Sequence, residues 1–271
     1  MKLFISADIE GISGVTNDAQ ASQTGAQFPE ARRWMTGDVN AAIAGACEAG
    51  VTQVLVKDAH GWALNILPDE VDERATLLQG WGVEDGMMEG LTADHQLAFL
   101  VGYHPRAGTP DGVLSHTWSG ALRRLIVNGV EIGEMGISAL FAGALGVPIA
   151  LVTTCEAGAR QARELMPWAE TVAVKRGITR FAAELTPIKP AQQLIREAAR
   201  RAVQRLGEMQ PFRFEAPYVV QTTWTSASAA QTCATHEGVT LVDEYTVELT
   251  AAEPLAALKR LRQLFRIAQA G

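Results

Sequence analysis

The chain has 271 residues, 48% of them hydrophobic and 20% charged, with a formal net charge of -7. That is length enough for one large domain, or one domain with a smaller companion, in an ordinary globular composition. An acidic chain whose basic runs are only pairs has nothing to track a phosphate backbone, which sets nucleic acid aside, and no apolar run is long enough to span a bilayer.

The first element is a strand. "KLFISADIE" is apolar on both faces until Asp8 and Glu10, as a central strand of a parallel sheet is. No charged segment and long apolar stretch of the signal-peptide kind precedes it. Residues 29–50 carry apolar side chains at helical spacing and stop at Gly50. "TQVLVKDAH" at 52–60 reads as the second strand, residues 61–95 as loops and short elements, and "QLAFLVGYH" at 96–104 as the third strand. A helix over 133–146 ends at Gly146-Val147-Pro148, "VPIALVTTCE" at 147–156 is a fourth strand, and 156–167 is a helix stopped by Pro167. Beyond "LTPIKPAQ" the pattern predicts a helix at 190–207, strands at 216–224 and 238–250, and a closing amphipathic helix at 253–269.

Alternating strands and helices imply an α/β fold, a parallel sheet with right-handed crossovers. The expected division is a metal-binding α/β domain at 1–188 and a smaller α+β domain at 189–271, packed on or intertwined with the first. Arg123-Arg124 and Arg200-Arg201 read as solvated helix faces. Cys47, Cys155 and Cys233 lie far apart with no ligand spacing, so free thiols in a reducing, cytoplasmic setting are expected.

Three strand ends carry candidate metal ligands: Asp8 and Glu10, then Asp58 and His60, then His104. Ligands in open α/β sheets bind beyond the carboxyl ends of the strands, so these residues converge although they are distant in sequence. Residues two apart share a face of a strand, and Gly11 lets the chain turn beside them. Carboxylates crowded together repel unless a cation sits among them, and mixed acid and imidazole ligands suit zinc better than magnesium or calcium. One ion answers the spacing; two ions bridged by one carboxylate would use the whole set. Any one of these residues alone is ordinarily a turn, a cap or a structural histidine. Glu134, at a helix N-terminus, is on composition alone a favourable charge on the helix dipole. His116, in "GVLSHTWSG", is equally a proton shuttle or a loop residue. His95 reads as structural. His236 and Lys57 have no assigned role. Nucleophile-elbow, P-loop and dinucleotide fingerprints are missing from the sequence.

The opening Ser6-Ala7-Asp8-Ile9-Glu10-Gly11-Ile12-Ser13-Gly14 resembles the start of the D-aminopeptidase family of dinuclear zinc peptidases. The resemblance continues through "VLVKDAH", "LVGYHPRAGTPDGVLSH", "VNGVEIGEMGISALFAGALGVPIALVTTCE" and "TVAVKRGITR", and is weak beyond about residue 190. It implies a Rossmann-like three-layer domain with a smaller intertwined one. It implies two zinc ions on Asp8, Glu10, His60, His104 and Glu134, with Asp8 bridging, Glu10 and His60 completing one ion, and His104 and Glu134 the other. His116 falls on the catalytic histidine, and Asp58 is a candidate to orient His60 from behind. The implied reaction is removal of an N-terminal D-residue, of the D-Ala type, from short peptides by a metal-bridging hydroxide, in a ring-shaped homo-oligomer. Lys57 before Asp58, and one extra residue around Asp111, depart from the family pattern. The alternatives are an amide hydrolase with the same metal site acting on L-peptides or a non-peptide amide, and a non-catalytic peptide- or metal-binding protein.

Overall fold

The computed structural model describes residues 1–82 and 86–270. Its main sheet begins with β1 (Lys2–Ala7), which pairs in parallel with β2 (Gln53–Asp58) on one side and β4 (Leu97–Val101) on the other. β3 (Ala75–Leu78) extends the β2 edge. Beyond β4 lie β7 (Ile149–Cys155), β8 (Glu170–Thr179) and the antiparallel edge strand β9 (Ala182–Leu185). The order is therefore β3-β2-β1-β4-β7-β8-β9. The chain runs outward from β1 to β3, then returns to place β4 on the other side of β1. That reversal is a topological switch point, where open α/β sheets leave a crevice beyond the strand ends.

Side chains alternate along each strand, so each face of the sheet builds its own core. Leu3, Ile5 and Ala7 face α2 (Phe28–Glu48) and α5 (Ile188–Gln204), against Met35, Ile43, Ile195 and Ala198. Phe4, Ala98 and Leu100 face the other way, against Leu140 of α3 (Glu134–Ala144) and a second sheet. That sheet is ordered β11-β12-β10-β5-β6, from β5 (Leu122–Val127), β6 (Val130–Glu131), β10 (Tyr218–Trp224), β11 (Val239–Leu241) and β12 (Thr246–Ala251). α7 (Pro254–Ala270) packs Leu258 and Leu261 into the same core, with α6 (Ala227–Ala234) beside it. α4 (Glu156–Leu165) follows β7, and α1 (Asp18–Ala21) precedes α2. Among the described residues no helix is long and apolar enough to cross a membrane.

The two sheets exchange segments. β5 and β6, from the first 188 residues, belong to the second sheet, whereas α5, from the remainder, packs on α2 and β8. Other local expectations change too. Arg123 and Arg124 lie on β5, not on a helix. A register shift opposite Thr223 and Trp224 lets both face solvent in succession, as a bulge does. The stretch 238–250 is a hairpin rather than one strand: Asp243 accepts from the Tyr245 N–H at 2.8 Å, and Val242 N donates to Thr246 O at 2.8 Å. That is an Asx-type turn. β3 and a short 3-10 turn at Gly86–Met88 lie inside 61–95.

Candidate metal centre

The switch point brings β1 and β4 together beyond their last paired residues. Asp8 N donates to Val101 O at 2.9 Å and Gly11 N to Gly102 O at 2.7 Å. No side chain fits between these backbones: a Cβ on Gly11 would lie 2.0 Å from Tyr103 O, and one on Gly102, whose φ is +73°, 2.2 Å from Asp8 O. Glycine at both positions is what lets Asp8 and Glu10 approach His104.

Two buried side chains fix the loop that carries Glu10. The Lys175 ammonium, on β8, donates to the carbonyls of Glu10 at 2.7 Å, Ile12 at 2.8 Å and Val15 at 2.5 Å. The Asp38 carboxylate, on α2, accepts from Ser13 N at 2.8 Å. Burial is the largest influence on Asp38 and raises its pKa to about 6, although hydrogen bonds from Ser13 and Gln192 work against it. An unfolded carboxyl titrates at its ordinary 3.8, so between these values the folded chain binds the extra proton. Asp38's contribution to stability is therefore full below 3.8 and lost as pH rises through about 6. Asp38→Asn removes that dependence. In urea titrations of metal-free protein, wild type should lose about 3 kcal/mol relative to the variant between acid and neutral pH. Parallel pH profiles for the two proteins would refute the assignment.

β2 delivers His60. Ala59 N donates to Ala7 O at 2.8 Å. The Asp58 carboxylate, expected to orient a ligand, makes no contact with the His60 ring and reaches it only through Asn65 and the backbone. It accepts from Asn65 N and Asn65 Nδ2, both at 2.6 Å, and from Ile66 N at 2.8 Å, while Asn65 Nδ2 also donates to His60 O at 2.7 Å. The His60 ring is held instead by Ala21 O, 3.0 Å from Nε2. His116 sits on a loop tied to Arg180, between Leu114 at φ +50° and Trp118 at φ +59°. Left-handed backbone at two non-glycine residues is costly, and such strain gathers at functional sites. Glu134 is the first residue of α3, and its Oε1 accepts from Trp118 N at 2.6 Å.

These residues meet in one buried cluster. His60 Nδ1 lies 3.2 Å from Asp8 Oδ1 and 2.9 Å from Glu10 Oε2. His104 Nε2 lies 3.6 Å from Asp8 Oδ2 and 3.3 Å from Glu134 Oε1. Each oxygen of Asp8 thus faces a different histidine. His116 stands slightly back, its Nε2 3.9 Å from Glu10 Oε1 and 3.7 Å from Glu134 Oε1, with its ring stacked on His104 at 4.0 Å.

The imidazoles identify what is required among them. His60 Nε2, His104 Nδ1 and His116 Nδ1 each face a backbone carbonyl, at 3.0, 3.0 and 2.8 Å. A carbonyl only accepts, so each of those nitrogens carries the proton, and a neutral ring then turns a lone pair toward the acids. Glu10 Oε2 and His104 Nε2 are buried without a hydrogen bond. Without a cation, protons must settle the conflict. Burial and then the charge of Glu10 raise Asp8; burial is also the largest influence on Glu10, but the charge and hydrogen bond of His60, with Asp8 and His104, together outweigh it and keep Glu10 ionised. Burial would lower His104, yet Glu134 pushes it up to about 10. A tetrahedral ion with bonds of about 2.0–2.2 Å sets its ligand atoms roughly 3.3–3.6 Å apart. The two spacings from Asp8, 3.2 and 3.6 Å, lie close to that edge. Among the described residues, three sets have ligand atoms close enough to share an ion: Asp8, Glu10 and His60; Asp8, His104 and Glu134; and Glu10, His104 and His116.

His95 and His236 lie outside the cluster: His95 is buried edge-on to Phe4, and His236 is exposed. Lys57 lies over the Trp81 ring at 4.7 Å and donates to Gly80 O, supporting one wall of the site. Asp111, near the extra residue, pairs with Arg160 at 2.5 Å, away from the ligands. Sequence reasoning passed over Lys175 and Asp38; a lysine inside "VAVKRG" was the available signal for the first.

A doubly wound sheet that gathers acids and imidazoles at its switch point, at spacings that suit a shared cation, defines the framework of a metal-dependent enzyme. The chain belongs to the D-aminopeptidase family, peptidase family M55, whose model matches residues 1–263. It is 36% identical over 212 residues to a D-aminopeptidase of Bacillus subtilis (strain 168), covering 78% of this chain and 77% of that one. It is also similar to a solved structure described as the Zn-dependent D-aminopeptidase DppA from Bacillus subtilis, a self-compartmentalizing protease. The TM-score is 0.96 at 30% identity, over 100% of this chain and 99% of that chain.

Proposed function

We propose that this D-aminopeptidase holds two zinc ions, one on Asp8, Glu10 and His60 and one on Asp8, His104 and Glu134. The observation that carries this is the Asp8 carboxylate, whose two oxygens face two separate acid-and-imidazole pairs. The Zn-dependence of the similar Bacillus subtilis enzyme supports the choice of metal. Bound zinc supplies Lewis acidity toward a carbonyl and lowers the pKa of water into the neutral range.

The chain's own side chains do the rest. His60 and His104 present fixed lone pairs, and Glu10 and Glu134 supply negative charge that offsets the ions. His116, with Nδ1 committed to Leu114 O, has Nε2 available to take a proton and return it to the leaving amine. Burial lowers its pKa, which favours the neutral base at pH 7. The substrate class is a short peptide with an N-terminal D-residue. Trp62 and Trp81, which line the cavity and are 73% and 42% exposed, give an assembly apolar surface to cover, in keeping with a closed homo-oligomeric ring. The free Cys47, Cys155 and Cys233 support a reducing, cytoplasmic location.

The test is hydrolysis of D-Ala-Gly and L-Ala-Gly before and after chelation. Cleavage of the D-peptide should vanish in chelator and return as zinc reaches two equivalents per chain. Equal cleavage with and without metal would overturn the metal mechanism. Preference for the L-peptide would overturn the substrate assignment.

A further inference from the structure

The metal centre opens into a cavity of about 830 Å³ whose far wall is α7, an element for which the sequence offered no substrate contact. Leu258, Arg262, Phe265 and Gln269 all line it, and their spacing of four, three and four is one stripe of a helix. Arg266 lines it too, one turn beyond Arg262. The stripe is aimed by a chain of contacts from the metal centre itself. Glu134 accepts from Trp118 N at 2.6 Å, and the Trp118 ring meets Phe265 edge-on at 5.0 Å. Phe265 lies between the two arginines in sequence, so their side of the helix faces the cavity. The Arg262 guanidinium reaches the 3-10 turn, 3.4 Å from where a Cβ on Gly86 would sit.

The cavity is therefore polarised. Carboxylates stand at the strand ends, two guanidiniums stand on α7, and apolar side chains such as Ile137 and Phe141 lie along the wall. We propose that Arg262 and Arg266 form a subsite for the C-terminal carboxylate of the substrate, which makes the enzyme selective for short peptides with a free acid end. The inference rests on the aminopeptidase reading and extends it. A zwitterionic peptide fits such a cavity in one direction, its ammonium toward the acids and its carboxylate toward α7. Arginine is suited to the second task because its planar fork meets a carboxylate with two parallel hydrogen bonds. Arg262 and Arg266 each already interact within the chain; a guanidinium carries five N–H donors, so a substrate carboxylate would bind beside that existing partner. A longer or amidated peptide forfeits this pairing.

The experiment compares D-Ala-Gly with D-Ala-Gly-amide on zinc-loaded wild type and on Arg262→Gln, Arg266→Gln and the double variant. Wild type should favour the free acid by about 10- to 100-fold in kcat/KM, mostly through KM. The double variant should lose that preference while cleaving the amide at the wild-type rate and keeping its zinc content. Wild type that cleaves acid and amide equally, or a preference that survives in the double variant, overturns the subsite. The wild-type comparison decides the matter even if the variants fold poorly. Wild type that cleaves neither form sinks the aminopeptidase reading and the subsite with it.

Discussion

Asp8→Asn should abolish peptide hydrolysis, lowering the rate by about 10⁴-fold or more, and bring bound zinc from two equivalents to at most one. Asp8 is the residue that both ligand sets need: Oδ1 lies 3.2 Å from His60 Nδ1 and Oδ2 3.6 Å from His104 Nε2. Asparagine keeps the shape but replaces one oxygen with an NH₂ group, which donates protons and cannot ligate. The fold should survive, because asparagine's remaining oxygen can still accept from Ile9 N, as Asp8 Oδ1 does at 2.9 Å. A second readout separates lost metal from lost structure. Burial and the charge of Glu10 make ionised Asp8 unfavourable in the metal-free chain. In chelator the variant should therefore melt no lower than wild type, whereas with zinc wild type should melt well above it. Two tightly held zinc ions in the variant would show that Asp8 does not bridge.

His116→Ala should leave both zinc ions in place and lower kcat by about 10²- to 10⁴-fold, the usual range for a general acid–base residue. His116 Nε2 stands 3.7 and 3.9 Å from the nearest acid oxygens, farther than the His60 and His104 contacts at 2.9 to 3.6 Å. Its ring is positioned by stacking on His104 and by Leu114 O rather than by a place in the two Asp8-centred sets. Elemental analysis of the purified variant decides the question. Loss of one zinc equivalent would make His116 a ligand and reassign the third candidate set, Glu10, His104 and His116. If His116 is the proposed base, the acidic limb of the pH–rate profile should also disappear with the imidazole, because a base must be neutral to take a proton.

The strand-end positions of Asp8, Glu10, His60 and His104 were legible because parallel strands announce themselves as apolar runs and end on one side of their sheet. Glu134 was not legible from composition, because an acid at a helix N-terminus has an ordinary explanation; only the resemblance to the D-aminopeptidase family singled it out. Lys175 was passed over for another reason, although a lysine inside an apolar strand hints at burial. Lysine is among the residues least often buried, and nothing in its strand says that its ammonium ends beneath three carbonyls of the β1 loop. Arg123-Arg124 misled because two adjacent charges break strand alternation, and the bulge that permits them depends on β10, almost a hundred residues later. The arginines of α7 look like the polar face of any closing helix until Trp118 and Phe265 fix which side turns inward.

The placement of β5 and β6 in the second sheet bears on when the enzyme becomes competent during synthesis. By residue 134 the ribosome has made every proposed ligand and His116. The hairpin of β5 and β6 lies between His116 and Glu134, and its sheet partner β10 does not begin until Tyr218. A nascent or prematurely released chain thus has the chemistry without the support that aims two of its side chains. A chain truncated before Tyr218 is therefore expected to lack peptidase activity in a purified-fragment assay, although it holds every proposed ligand.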